Sequence, residues 1–287
     1  MATLEIQKVD LASFCYFNKE RYPFLLESVN HNENNRYSIL FAFPEESIVL
    51  QEFSDFDFLN ELESQFKTTN HDLSLPFTGG WFVYLSYELI GQIEPTLASK
   101  LHKSNIPIAY AVKIPCAVII DHQLGKTFVF DEADNKTRIN QVLSDISSIE
   151  NIPDKSIEGR ISEESNEKFT GGVNRSLDYI VAGDVFQVNL SRKWSYSLSS
   201  KKDSAIIYKQ LKKANPAPFS ALVQYENFSI ISSSPERLFS VNDGVLETRP
   251  IAGTHPRGEG HLDDAQKENL ISHPKEIAEH VMLLDLE

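Results

Sequence analysis

The sequence predicts an α+β protein: a β-rich N-terminal domain over residues 1–150, a linker over 151–165, and a second, α/β-sandwich domain over 166–287. Three observations carry that expectation. At 287 residues the chain is longer than one ordinary domain, since compact domains run to about 100–150 residues. The first half is a series of short apolar runs divided by turn residues, whereas the second opens on a helical spacing of apolar residues before returning to alternating runs. A hydrophobic fraction of 41% with 10% aromatics is enough to build real cores, which excludes a mainly disordered chain.

In chain order, RYSILFAFPEESIVL gives two apolar runs around Pro44-Glu45-Glu46 and reads as two strands and a turn. The acidic stretch from Phe53 to Phe66 reads as helical. Pro76-Phe77-Thr78-Gly79-Gly80 then punctuates entry into WFVYLSYEL, a strand or strand-to-helix segment. IPIAYAVKIPCAVIIDHQLGKTFVFDE supplies several strands, with a hairpin turn from Asp121 to Lys126. Asn135 to Ser148 has an amphipathic helical pattern, and the polar IENIPDKSIEGRISEES marks the linker.

Beyond it, Glu167 to Ala182 predicts a helix with Phe169, Val173, Leu177 and Ile180 three or four apart, ended by Gly183-Asp184. The alternation from Val185 to Trp194 predicts a strand with Phe186, Val188 and Leu190 on one face and Gln187, Asn189 and Ser191 on the other. FSALVQYE, FSIISSSP and RLFSVNDGVLET read as further strands, the last turning at Asn242-Asp243-Gly244. Pro274 suits the first turn of a helix running through HVMLLDLE.

Charge and composition exclude several functions. The net charge of −14 comes from 41 acidic against 27 basic residues, with no local Lys/Arg run; nucleic acid and anionic membrane surfaces are therefore not expected partners. No apolar stretch approaches the ~20 residues that span a bilayer. The N-terminal MATLEIQKVDLASF shows no export or organelle signal, so the cytoplasm is the expected compartment. Cys15 and Cys116, the only cysteines, are isolated and read as buried structural thiols. No HExxH, Walker loop or GxGxxG occurs.

Four polar features of the second half stand out beside ordinary surface explanations. The face Gln187, Asn189, Ser191 must find partners if buried, or else faces solvent. Ser234-Pro235-Glu236-Arg237 closes a strand with a carboxylate that could serve as a general acid, or could simply pair with Arg237. ETRPIAGTHPRGEG forces an extended path whose backbone N–H groups and Thr254 hydroxyl could hold a carboxylate. Glu276 and Glu279 project one turn apart to the same side of a helix, either as a hard-cation site suited to Mg²⁺ or as a solvated face.

Together, FTGGW, AGDVFQVNLSR, NPAPFSA, SSSPERL, ETRPIAGTHPRG and KEIAEHVMLLDL occur in an order that resembles the chorismate-utilising enzymes, specifically the component I subunits that make anthranilate or 4-amino-4-deoxychorismate. The resemblance implies a chorismate-binding second domain and several roles. Gln187 stands where water-adding relatives have a Lys base, which looks like the ammonia-using branch. Glu236 matches the candidate general acid for departure of the 4-hydroxyl. Glu276 and Glu279 match the carboxylates that hold Mg²⁺, while Gly253 and Thr254, next to Ala252, match the loop that approaches the substrate carboxylates.

A separate glutamine amidotransferase subunit is implied as the ammonia source. Asn189 and Phe219-Ser220-Ala221 look like aminodeoxychorismate synthase and folate synthesis; Ala252 in PIAGT looks like anthranilate synthase, the alternative. Leu26, Glu27 and Ser28, with Pro218 and Phe219, resemble a tryptophan pocket. In the family the chain continues past the MLLDL helix through further motifs not found here. The second domain is therefore expected to be incomplete, and an inactive fragment that keeps only partner or ligand binding is the third expectation.

Overall fold

Strands buried on both faces read as unbroken apolar runs, and the longest such run lies at the centre of the fold. The computed structural model describes residues 2–30, 35–53, 56–66, 75–101, 105–133, 136–198, 203–242 and 244–286. β7 (Cys116–Asp121) is buried along its whole length. It pairs with β8 (Lys126–Asp131) on one side and β3 (Tyr37–Ala42) on the other. Outside these lie β1 (Ala2–Ile6) on β8 and β2 (Phe24–Glu27) on β3. Next to β2 the sheet takes in β11 (Phe219–Tyr225) and β12 (Phe228–Ser234), giving the antiparallel order β1-β8-β7-β3-β2-β11-β12.

The period-two alternation of these strands divides two cores. Cys116, Val118 and Ile120 join Leu25, Leu40 and Leu222 under the helices α1 (Leu11–Phe17), α4 (Lys136–Ser148) and α6 (Ser204–Ala214). On the opposite face, Phe24, Phe41 and Val223 pack against a three-stranded sheet of β4 (Ser47–Leu50), β6 (Ala109–Ile114) and β5 (Gly80–Leu85). Aromatic stacking joins the two sheets: Phe24 on Phe82 at 4.1 Å and Tyr110 on Tyr225 at 4.3 Å between ring centroids. α2 (Phe58–Ser64), capped by Asp57 accepting from the Asn60 N–H at 3.0 Å, buries Phe58 beneath β4. A 3₁₀ turn at Tyr87–Leu89 and the single-turn α3 (Ile90–Ile93) follow β5.

In the second half, α5 (Asn166–Ala182) ends at Gly183, whose left-handed φ of 80° closes the cap. Two ribbons, β9 (Gly159–Glu163) with β10 (Trp194–Leu198) and β13 (Ser240–Asn242) with β14 (Val245–Glu247), precede α7 (His261–Ser272) and α8 (Pro274–Leu286). The mixed α and β content, built on one large antiparallel sheet, bears out the expected α+β class.

Local expectations meet different outcomes. The runs on either side of Pro44-Glu45-Glu46 are strands, as expected, and they enter different sheets. The Val185–Trp194 strand does not form: only Trp194 enters a ladder. Alternation supplies two faces but not the neighbouring edge that a strand's N–H and C=O groups require. β9 lies within the stretch read as linker, and β11 and β12, which follow it in the chain, extend the N-terminal sheet. The helix read from Phe53 to Phe66 is shorter, and Asn135 and Asp243 lie outside the described residues.

Both cysteines are buried free thiols, as expected. Burial pushes Cys116 up to about 12, reinforced by Asp131, and raises Cys15 further with help from Glu27 and Asp10. Asp121 fixes the β7–β8 turn: its carboxylate accepts from Arg36 Nε at 2.9 Å and from the Gln123 and Leu124 N–H groups at 3.0 and 3.1 Å. Arg36 first, with those N–H groups, holds the Asp121 carboxyl below its usual range. A depressed carboxyl stabilises the fold above its unfolded pKa of ~3.9, and that stabilisation is lost as pH falls through the folded value. We therefore expect Asp121→Asn to lower the urea midpoint at pH 7, with the gap from the parent protein narrowing steadily as titration proceeds below pH 4.

Candidate active site

The polar residues singled out in the second half come from separate elements, and the fold brings four of them into two contacting pairs. α8 begins at Pro274, so Glu276 falls in its first turn and Glu279 one turn later. The extended, ladder-free segment after α5 carries Gln187 to this helix, where its Nε2 donates to Glu279 Oε1 at 3.5 Å. The Gly-rich loop after β14 carries Gly253 against Glu276. A Cβ built on Gly253 would lie 1.9 Å from Glu276 Oε2. A side chain at 253 would make the Glu276 carboxylate shift, so glycine lets the loop come this close to it.

Ala252 is half-buried beside Gly253, and Thr254 is exposed. His255 and His273 approach with ring centroids 6.4 Å apart, and His273 Nδ1 is buried without a partner. Among the described residues, no group of three or more His, Cys, Asp or Glu side chains is arranged to hold a metal.

Glu236 lies elsewhere, in the turn that follows β12. Its backbone is fixed locally: Ser234 Oγ donates to the Glu236 carbonyl at 3.0 Å and accepts from its N–H at 3.4 Å. Its carboxyl is exposed. Arg237 turns away to lie 5.9 Å from the Phe219 ring centroid, a cation–π contact rather than a pairing with its neighbour.

The candidate tryptophan-pocket residues are brought together by the β2–β11 ladder, which sets Leu26 opposite Ala221 and Glu27 opposite Ser220. Pro218 and Phe219, at the start of β11, are half-buried. Ala217 O, beside them, accepts from the N–H groups of Val29 and Asn30 at 3.1 and 3.3 Å. Ser28 is buried; its Oγ donates to Tyr37 O at 2.9 Å, and its N–H donates to Ser38 Oγ at 3.1 Å. Glu27 faces α6 instead. Its carboxylate accepts from Tyr208 at 2.7 Å and from Lys212 at 3.1 Å.

Tyr208 and Lys212 were not among the expected site residues. Asp203 as an N-cap, followed by Ala205, Ile206 and Tyr208 at helical spacing, is the signal that could have placed them.

The apolar stripe expected on α5 forms but faces solvent among the described residues, with Leu177 55% and Ile180 42% exposed. Phe186, on the segment that carries Gln187, is 86% exposed.

Residues 21–287 match the chorismate binding enzyme family. The chain belongs to that family. Over 91% of this chain it is 32% identical to an anthranilate synthase component I-like protein from Synechocystis, covering 55% of that protein. Over 82% of its length it is 36% identical to aminodeoxychorismate synthase component 1 from Bacillus subtilis, covering 53% of that protein. The crystal structure of anthranilate synthase component I from Streptococcus pneumoniae superposes with a TM-score of 0.72 at 26% identity, over 91% of this chain and 62% of that one. The chain thus spans about half the length of these two curated relatives. Its relatives carry both synthase names. Among its described residues, no helix is long and apolar enough to cross a membrane.

The Glu27 contacts generate a prediction about the fold rather than about catalysis. Truncating one partner of a half-buried charged pair strands the other. Glu27→Ala is expected to cost about 2 kcal/mol, read from the urea midpoint at unchanged slope.

Proposed function

We propose that this chain is the chorismate-handling component of a cytoplasmic synthase that substitutes ammonia for the 4-hydroxyl of chorismate, giving 4-amino-4-deoxychorismate and water for 4-aminobenzoate and folate synthesis. Ammonia is supplied by a separate glutamine amidotransferase subunit. The observation that carries this reading is Gln187, an amide, set 3.5 Å from Glu279. A neutral amide cannot take a proton from water near pH 7, whereas ammonia is already nucleophilic. The 36% identity to an aminodeoxychorismate synthase component 1 supports the product chosen, as do Asn189 and Phe219-Ser220-Ala221.

In this reading Glu236 protonates the departing 4-hydroxyl, and Gly253 and Thr254 present the loop to the substrate carboxylates. Ala252 offers no nucleophile, so no covalent attachment forms at that position. Glu276 and Glu279 fit Mg²⁺: they are hard oxygen donors one turn apart, and this ion is commonly held by one or two carboxylates, with water and substrate oxygens completing the shell. When bound, the ion neutralises the ring carboxylate of chorismate. Gly253 keeps Glu276 in place by leaving room for its carboxylate.

The stretch 151–165 divides roles, with residues 166–287 carrying the chemistry on a frame supplied by 1–150. Leu26, Glu27, Ser28, Pro218 and Phe219 form a structural pocket rather than a regulatory one. Ala252 favours the second reading, anthranilate synthase component I.

A purified full-length version given chorismate, Mg²⁺ and ammonium is expected to form a product that a 4-amino-4-deoxychorismate lyase converts to 4-aminobenzoate. Direct release of anthranilate and pyruvate would decide for the second reading. Because a Cβ at position 253 displaces Glu276, Gly253→Ala should weaken the Mg²⁺ dependence of turnover by about 10–100-fold, the usual cost of disturbing a group that orients a metal ligand. An unchanged Mg²⁺ titration would remove Glu276 from the metal site.

A further inference from the structure

A cavity of about 890 Å³ lies away from the candidate active site. That volume falls in the range of small-molecule pockets. It opens at the β11–β12 hairpin, while Glu236 follows the other end of β12. Across a seven-residue strand the separation is about 20 Å.

The lining has a definite chemical character. Phe24, Tyr225 and Phe228 supply aromatic walls, with the Tyr225 and Phe228 rings 5.6 Å apart. Among the described lining residues, four carboxylates, those of Glu20, Glu45, Asp203 and Glu226, stand against one cation, Lys19. Asp203 caps α6 by accepting from the Ala205 N–H at 2.8 Å, so that helix end is already occupied by a carboxylate and does not invite an anion. Glu45 binds Arg138 at 2.6 Å. Glu20 and Glu226 are exposed.

Gln224 gives the independent pointer. It lines the cavity, is 7% exposed, and donates through Nε2 to Ser204 Oγ at 2.7 Å. Its Oε1 is buried with no hydrogen-bond partner. A buried amide oxygen left unpaired calls for a donor. The site therefore lacks an N–H group, carries surplus negative charge and offers aromatic faces, and all three features are met by a protonated amine.

The backbone is also held at a cost here. Glu226 sits at φ 45° in the two-residue hairpin turn, and Phe43, at φ 57°, borders an adjoining cavity of about 370 Å³ that shares Glu20, Pro44 and Glu45. These are the two non-glycine residues with positive φ among those described, a conformation that L side chains avoid and that tends to persist at ligand sites.

We propose that this cavity is a second small-molecule site, separate from the chorismate site, that takes an organic ammonium ion with an apolar or aromatic body, its N–H group bonding to Gln224 Oε1. Isothermal titration of the protein with 2-phenylethylammonium, and with 3-phenylpropionate as the anion of similar shape, tests this directly. The amine should bind and the anion should not. Saturating chorismate should leave amine affinity unchanged, whereas Gln224→Leu should weaken it at least fivefold. Should Gln224→Leu fail to fold by circular dichroism, the surface double variant Glu20→Gln/Glu226→Gln decides, with an expected loss of at least threefold and a flatter salt dependence. Absence of binding at millimolar amine, equal binding of the anion, displacement by chorismate, or unaltered affinity in folded variants would each overturn the proposal.

Discussion

The ladder between β2 and β11 is the constraint on which the arrangement of the molecule depends. Four residue pairs, Phe24 with Val223 through Glu27 with Ser220, join segments from opposite halves of the chain into one sheet. The register has no slack. Leu25 and Leu222 face the helices while Phe24 and Val223 face the smaller sheet, and a slip of one residue would exchange the two cores. With that register set, β12 carries the SPER turn out from the sheet, α6 is drawn over Glu27, and Tyr225 is delivered to its stack on Tyr110.

How much of this could be read from the sequence follows from where each determinant resides. β6, β7 and β8 are legible because burial on both faces writes a continuous apolar run into the chain. The Gly183 stop and the Pro274 start are legible because the backbone itself demands those residues. Sheet membership is a property of the partner, not of the strand, so nothing in β3 and β4 shows that they part into different sheets. The same holds for Val185–Trp194, whose alternation is genuine but whose edge has no neighbour among the described residues. Glu27 finds Tyr208 across a separation of 181 residues, and a local pattern cannot carry that information.

The candidate site divides along the same line. The spacing of Glu276 and Glu279 is a helical fact and can be read directly. The fit of Gly253 against Glu276 and the approach of Gln187 to Glu279 depend on how loop, extended segment and helix meet. In a chain of net charge −14, a substrate bearing two carboxylates meets an unfavourable field until local cations compensate. In the proposed function that electrostatic burden would fall on a cation that Glu276 and Glu279 of α8 would hold.

The two buried thiols have a practical consequence. A thiol reacts as its thiolate, and Cys15 and Cys116 are both fully enclosed and hard to ionise. To a maleimide or iodoacetamide reagent the described surface of the folded protein presents no native target. A single cysteine engineered on the β11–β12 hairpin or on α8 would then be the only labelled position, so a spin label or fluorophore could report on either region without first stripping out the native cysteines.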